Sequence, residues 1–158
     1  MITRTVEKTF KFDAAHRLVG FDGKRIVTYK DNCRNLHGHT YTVKIKIKLK
    51  LGHVLDHYGM VYDYNKMKMI KNWIDKNLDH ATLVSSYDKP LLKFLRNQKG
   101  RDKHYILETP ATAENIAALI FKKAQEVLNC DKDDVHRVVI DEVSVNETAT
   151  SEAVYRED

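Results

Sequence analysis

The chain has 158 residues, of which 42% are hydrophobic and 31% are charged, with only two prolines and six glycines. This composition excludes a disordered tail, a collagen-like rod and a proline-rich linker, and the length suits one domain. The net charge of +5 would suit a nucleic acid or an anionic substrate equally well. The longest apolar run is too short to span a membrane, and the charged N-terminal segment has no apolar core like that of a signal peptide. We therefore expect a soluble, cytoplasmic protein whose cysteines are reduced.

The first predicted element is a strand. Val6, Phe10 and Phe12 share one face of an imperfect alternation that continues toward His16. The polar segment that follows, 20–32, is expected to form a loop.

The clearest alternation in the chain covers 40–51. Apolar residues stand at every second position from Tyr41 to Leu51, and threonines and lysines stand between them. This pattern predicts a long strand with one buried face. The other face would carry a stripe of lysines, which is usually a solvated surface: Lys44, Lys46, Lys48 and Lys50.

Helices are predicted in the middle of the chain. Asp63 can cap a helix over 64–78, where apolar residues recur at helical spacing. A shorter helical run follows at 91–95, and then a polar turn at 97–103. Thr112 is the expected N-cap of a second long helix with its own apolar stripe.

The chain then returns to strands. Val139, Val143 and Val145 share one parity, and a short strand around 153–155 would close a hairpin. The order is strand, strand, helix, helix, strand, strand. It predicts one α+β domain over 1–158, with a four-stranded antiparallel sheet and two main helices on one face.

Three histidines form the first candidate site. His37 and His39 are two residues apart on a strand, so both project to the same side as Tyr41. His16 has the matching parity at the end of the neighbouring strand. Three neutral imidazoles that converge suit tetrahedral zinc with an open fourth position, which is the catalytic pattern. The alternative, that some are hydrogen-bonded core residues, stays open at this point.

Other chemistry-bearing residues lie near these histidines in the sequence or at element ends. Cys33, four residues before His37, could act as a base beside a cation, or close the site as a structural zinc ligand. Asp79 could orient or charge His80, and Glu147 could accept two hydrogen bonds from a guanidine-like edge, although such residues are often only surface residues. Cys130 is expected to be a small residue at a helix end, and the remaining histidines are expected to be surface residues: His53, His57, His104 and His136.

Six motifs together resemble one family, that of the 6-pyruvoyl- and 6-carboxy-tetrahydropterin synthases, which has the tunnelling fold. They are FDAAHR at 12–17, CRNLHGH at 33–39, GMVYDY at 59–64, LDH at 78–80, PATAEN at 110–115 and VNET at 145–148. The resemblance covers nearly the whole chain, and the spacing of the cysteine from His-Gly-His is similar to that of bacterial 6-carboxy-tetrahydropterin synthases. The segments 20–32 and 83–107 look longer than in compact bacterial members.

The resemblance implies a zinc-dependent lyase that converts 7,8-dihydroneopterin triphosphate into 6-carboxy-tetrahydropterin, acetaldehyde and triphosphate, for the biosynthesis of 7-deazaguanines such as queuosine. It also implies a homohexamer with active sites between subunits, in which the lysines line an inner tunnel. Glu147 would reach a pterin whose zinc is held by a neighbouring chain or across a shared edge. The implied site residues are the zinc ligands His16, His37 and His39, the base Cys33, the relay pair Asp79 and His80, the pterin anchor Glu147, and the further substrate-binding residues Thr112 and Glu114.

Two alternatives remain at this stage. The same fold could make 6-pyruvoyl-tetrahydropterin, in which triphosphate is lost but the side-chain carbons stay. A basic, zinc-stabilised nucleic-acid-binding module would explain the lysine stripe. The sequence has no helix-turn-helix, stacking-aromatic motif or zinc-finger spacing, which disfavours the second alternative.

Overall fold

The computed structural model describes residues 3–98 and 102–157, so part of the predicted turn at 97–103 lies outside the described residues. Its strands are β1 (Thr5–His16), β2 (Val19–Phe21), β3 (Ile26–Thr28), β4 (His37–Leu49), β5 (Ala81–Ser85), β6 (His104–Leu107), β7 (Val138–Thr148) and β8 (Ser151–Tyr155). Its helices are α1 (Lys68–Asn77), α2 (Lys89–Arg96) and α3 (Ala113–Cys130), with a short 3₁₀ helix at Asn32–Arg34. Among the described residues, no helix is long and apolar enough to cross a bilayer.

The main sheet has six strands in the order β6-β5-β1-β4-β7-β8. The four predicted strands, β1, β4, β7 and β8, pair antiparallel as expected. The prediction of a four-stranded, purely antiparallel sheet is nevertheless wrong, because β5 pairs parallel to β1 and β6 pairs parallel to β5. These added strands have only five and four residues, too few for alternation to reveal them in the sequence.

The buried face of the sheet follows the alternation of β1 and β4. Phe10 and Phe12 on β1 lie opposite Val43 and Tyr41 on β4, and all four are buried. The main helices α1 and α3 contribute Ile70, Ile74, Ile116 and Ile120 to the same core. This packing confirms that two main helices cover one face of the sheet. Side chains of β1 and β4 that share the parity of Phe10 and Tyr41 therefore point to the helix-covered side.

A β-bulge interrupts β7. Asp141 is the extra residue, because Glu142 pairs with Lys46 while Ile140 pairs with Ile47. Val143 and Val145 keep the predicted buried face. Val139 does not, since it pairs with Lys48 on the opposite face. The prediction that Val139 shares the buried face of Val143 and Val145 is therefore wrong.

Several element boundaries differ from the prediction. The helix expected from Tyr64 starts at Lys68, because Asp63 Oδ1 accepts the Asn65 N–H at 2.8 Å and forms a local turn instead of a cap. Thr112 does cap α3, with its hydroxyl accepting the Asn115 N–H. The segment 20–32, expected to be a loop, contains part of the β2–β3 hairpin and leads into the 3₁₀ helix.

The lysine stripe carries its counter-charges on the neighbouring strands. Lys50, beyond the end of β4, donates to the Val135 carbonyl. The other three lysines form ion pairs: Lys44 with Glu152 at 2.8 Å, Lys46 with Glu142 at 2.5 Å and Lys48 with Asp141 at 2.5 Å. This face is therefore a charge-paired ladder and not a uniformly cationic surface.

Candidate active site at the end of the main sheet

The three predicted metal ligands converge on the helix-covered side of the sheet. His16 ends β1 and pairs directly with His37, the first residue of β4, while His39 pairs with Ala14. The candidate ligand atoms of the three rings all lie within 4.8 Å of one another, and the His16 side chain is buried. Strand alternation thus brings together side chains that are far apart in the sequence.

Backbone carbonyls fix two of the three rings. His16 Nδ1 lies 2.6 Å from the Ala111 carbonyl oxygen, and His37 Nδ1 lies 2.8 Å from that of Asn35. An Nδ1–H that donates to a carbonyl leaves Nε2 with a free lone pair, which is the usual outer-shell arrangement of metal-binding histidines. Burial lowers the pKa of His39, which favours the neutral form that binds metals.

The donor set fits a zinc ion. Within the described residues, the buried Nε2 atoms of His16 and His39 have no hydrogen-bond partner. Glu147 Oε1 lies 3.0 Å from His16 Nε2 and 3.8 Å from His39 Nε2, although the shorter approach lacks hydrogen-bond geometry. A bound cation would stabilise this arrangement, because it would accept the lone pairs of the ring nitrogens and attract the carboxylate. Three imidazoles with an anion nearby match zinc better than oxygen-preferring cations.

A cavity of about 340 Å³ adjoins the cluster and brings four predicted site residues together. Cys33, in the 3₁₀ helix, is half-buried, and its carbonyl accepts the Leu18 N–H at 2.8 Å. In the described residues, Cys33 is not part of the three-histidine group. The predicted residues that line the cavity are Cys33, Thr112, Glu114 and Glu147, with Leu18, Tyr29 and Glu152 among the others.

Glu147 belongs to the histidine cluster of its own chain. The expectation that Glu147 anchors a pterin whose zinc a neighbouring chain holds is therefore corrected, because Glu147 Oε1 lies 3.0 Å from His16 of the same chain. The contact with His16 lowers the pKa of the Glu147 carboxyl, against the effect of burial, so the side chain is anionic near neutral pH. Tyr41 lies behind it, with its hydroxyl 3.5 Å from Oε1. The sequence predicts Tyr41 only as a core residue, although its parity with His39 would also place it beside the site.

Asp79 and His80 form the predicted pair but lie elsewhere. His80 Nδ1 is 2.8 Å from Asp79 Oδ2, and Asp79 Oδ1 accepts the Asp13 N–H, which lowers the pKa of Asp79. The His80 side chain is 77% exposed and borders a second cavity with Asp13 and Thr40, whose side chains leave the sheet on the lysine-bearing face. Within one chain, this pair does not line the cavity that contains Cys33.

Three of the remaining histidines are exposed as expected, His53, His57 and His136, whereas His104 is half-buried at the start of β6. Cys130 is exposed at the end of α3. The His53 and His136 rings face each other edge-on with centroids 6.1 Å apart, and the His57 ring is tilted by 45° against that of its neighbour Tyr58. Among the described residues, these histidines form no group of three or more potential metal ligands.

Known proteins are similar to this chain over most of its length. Residues 5–158 match the sequence profile of the family described as 6-pyruvoyl tetrahydropterin synthase. A Rickettsia typhi protein named 6-carboxy-5,6,7,8-tetrahydropterin synthase is 38% identical over 107 residues, which cover 67% of this chain and 69% of that protein. A Haemophilus influenzae protein of the same name is 32% identical over 156 residues, with 96% and 98% covered.

The fold gives the same result. The solved structure of Caenorhabditis elegans 6-pyruvoyl tetrahydropterin synthase superposes with a TM-score of 0.65 at 27% identity, covering 100% of this chain and 98% of that one. The sequence match and the shared fold both extend over nearly the entire chain. The chain therefore belongs to the 6-pyruvoyl tetrahydropterin synthase family of pterin-forming enzymes.

Proposed function

We propose that the chain is a zinc-dependent 6-carboxy-5,6,7,8-tetrahydropterin synthase. It would convert 7,8-dihydroneopterin triphosphate and water into 6-carboxy-tetrahydropterin, acetaldehyde and triphosphate, and so serve 7-deazaguanine biosynthesis. The observation that carries the proposal is the cluster of His16, His37 and His39, with unpartnered buried nitrogens, beside the cavity of Cys33 and Glu147. The relatives that bear this name support the choice of product.

The histidine cluster would hold the zinc ion. When bound, zinc would polarise the side-chain oxygens of the substrate and make the adjacent C–H bonds more acidic. The carbonyls of Ala111 and Asn35 keep the His16 and His37 rings oriented, so little rearrangement would be needed on binding.

Cys33 and Glu147 would act on the substrate from the cavity wall. Cys33, as a thiolate, would take a proton from the side chain of the substrate. The Glu147 carboxylate would accept hydrogen bonds from the N3–H and 2-amino group of the pterin, since two donors face two acceptors there. Thr112 and Glu114 line the same cavity and would complete the substrate contacts.

His80 would serve the active site of a neighbouring subunit. Its ring is exposed, is oriented by Asp79, and borders a cavity with Asp13 and Thr40 on the lysine-bearing side of the sheet, which His39 also lines and Cys33 does not. An exchange of protons with a side-chain oxygen of the substrate therefore requires a second chain whose cavity opens toward this face. We propose the homohexamer, with active sites between subunits, as the assembly that provides it.

Identification of the products tests the proposal. Zinc-loaded protein is incubated with 7,8-dihydroneopterin triphosphate, and pterins and aldehydes are quantified by mass spectrometry. We expect 6-carboxy-tetrahydropterin and acetaldehyde in equal amounts. Formation of 6-pyruvoyl-tetrahydropterin without acetaldehyde would overturn the proposal in favour of the reaction named for the C. elegans protein, whose fold the chain shares.

The nucleic-acid alternative has lost its main support. Three of the four lysines in the stripe that suggested it pair with carboxylates of the same chain, Glu152, Glu142 and Asp141. A salt-sensitive affinity for DNA needs free cationic groups that can displace counterions from phosphates. We therefore do not propose this function.

A further inference from the structure

The two long segments of the chain, 20–32 and 83–107, meet beside the candidate active site. The turn after β5 carries Tyr87 and Asp88, which contact the segment that leaves β1. Tyr87 stacks on Phe21, with 5.2 Å between ring centroids and 20° between ring planes. Asp88 accepts two hydrogen bonds from the Arg17 guanidinium, at 2.6 and 2.7 Å.

Asp88 is rigidly held. Its side chain is 2% exposed, and Oδ1 also accepts the Leu91 N–H as the N-cap of α2. The helix is anchored in turn by a small apolar core of its own, formed by Val84, Leu91, Leu92 and Leu95, with Ile106 packed against it. A bidentate pair between a planar guanidinium and a fixed, buried carboxylate defines both the distance and the orientation of Arg17.

Arg17 stands between two residues of the candidate site. His16, directly before it, is a proposed metal ligand, and its Nδ1 is held by Ala111. Leu18, directly after it, lines the cavity and donates its N–H to the Cys33 carbonyl. A shift of Arg17 would therefore be transmitted to the metal cluster on one side and to the proposed base on the other.

We propose that Asp88, acting through Arg17, is a positioning residue that sets the separation between the histidine cluster and Cys33. The lobe formed by β5, α2 and β6 then has a role in the active site, although no residue of it is assigned to catalysis or metal binding. Only the importance of this role for catalysis rests on the proposed function. The physical claim concerns zinc affinity and the environment of Cys33, which are measurable without a substrate.

The test uses Asp88→Asn in a Cys130→Ala background, so that Cys33 is the only thiol. Asparagine can still accept the Leu91 N–H, so the helix cap is kept while the ion pair with Arg17 is weakened. We expect zinc affinity, measured by competition with a chelator, to fall by about tenfold, the range typical of residues that orient metal ligands. Alkylation of Cys33 by iodoacetamide in the metal-free protein should become several-fold faster, because its tie to Leu18 is loosened. Arg17→Lys, which keeps the charge but loses the bidentate geometry, should show a smaller change in the same direction.

Asp134→Asn is the matched control, because Asp134 is also a buried partner of an arginine, Arg137, outside the candidate site. It should lower the free energy of unfolding but leave zinc affinity and the alkylation rate at the parent values. The proposal is overturned if both aspartate variants lose stability while neither readout changes, since Asp88 would then be only a structural residue. If Asp88→Asn does not fold, unchanged readouts in Arg17→Lys overturn it equally. Absence of acetaldehyde from the parent enzyme would contradict the proposed function alone.

Discussion

Two clusters of polar side chains in the molecule differ in how far their polar atoms are hydrogen-bonded within the chain. Outside the candidate site, Lys66 lies 2.7 Å from Asp134 and 3.0 Å from Asp131, and Arg137 pairs with Asp134. Each charged side chain there makes at least one hydrogen bond to an opposite charge, although Asp131 Oδ2 itself accepts none. At the end of β1 and β4, the buried Nε2 atoms of His16 and His39 make no hydrogen bond among the described residues, although Glu147 Oε1 lies 3.0 Å and 3.8 Å from them.

The difference separates a structural role from a binding role. An internally paired cluster gains nothing from a ligand, and Arg137 also donates to the carbonyls of Val54 and Met60, which fastens the segment before α1. An unpartnered buried donor or acceptor costs free energy in the folded protein unless something binds it. The histidine cluster is thus organised for a ligand, whereas the Lys66–Asp134–Arg137 cluster is organised for stability.

The largest expected effect follows from removal of one cluster ligand. Replacement of His37 or His39 by alanine should reduce bound zinc from one per chain to near zero and abolish turnover. The fold should be retained, because these rings contribute little to the apolar core. Metal analysis by mass spectrometry and circular dichroism check this. Full activity of a carefully metal-free preparation would show that the cluster has another purpose.

Cys33→Ala should give the next largest effect. Turnover should fall by about 10² to 10⁴, the usual contribution of a general base, while zinc content stays at the parent level. Cys130→Ala is the matched control and should change neither quantity, because Cys130 is exposed at the end of α3. If zinc is lost together with Cys33, the thiol is a structural ligand and not the base.

Substitutions in the Lys66–Asp134–Arg137 cluster should change the stability of the protein but not its catalysis. Asp134→Asn weakens a buried ion pair with Arg137, so the free energy of unfolding of the metal-free protein should fall by about 2 kcal/mol. Denaturation in urea measures this difference. Equal stability of the variant and the parent would mean that the pair contributes nothing net.

The same cluster should produce a smaller dependence of stability on pH. Burial acts to raise the pKa of the Asp134 carboxyl, but hydrogen bonds from Lys66 and Arg137 outweigh it and hold the pKa below its ordinary value of 3.8. A group with a lowered pKa in the folded state stabilises the protein above its ordinary pKa, and this stability is lost as the pH falls through the folded value. The stability difference between the parent and Asp134→Asn should therefore be full at pH 7 and shrink below about pH 4.

The sequence predicted that three histidines meet at the end of the sheet, but not the whole sheet that brings them there. The long alternation of β4 and the parity of His16 were enough to bring three histidines together, because strand geometry is periodic and tolerates no slip of one residue. The bulge at Asp141 and the short strands β5 and β6 could not be predicted, since each depends on long-range pairing and not on a local pattern. The placement of His80 on the lysine-bearing side of the sheet likewise depends on its left-handed backbone, with φ of 55°, and on its N–H bond to the Asp13 carbonyl.

The most direct test of the unpartnered cluster is the X-ray absorption spectrum of zinc in the loaded protein. We expect a first shell that contains three imidazole nitrogens at about 2.0 to 2.1 Å and no sulfur. That result would agree with zinc binding by His16, His37 and His39, and it would leave Cys33 free to act as the base. A sulfur scatterer at about 2.3 Å would contradict the account, because Cys33 would then close the metal site.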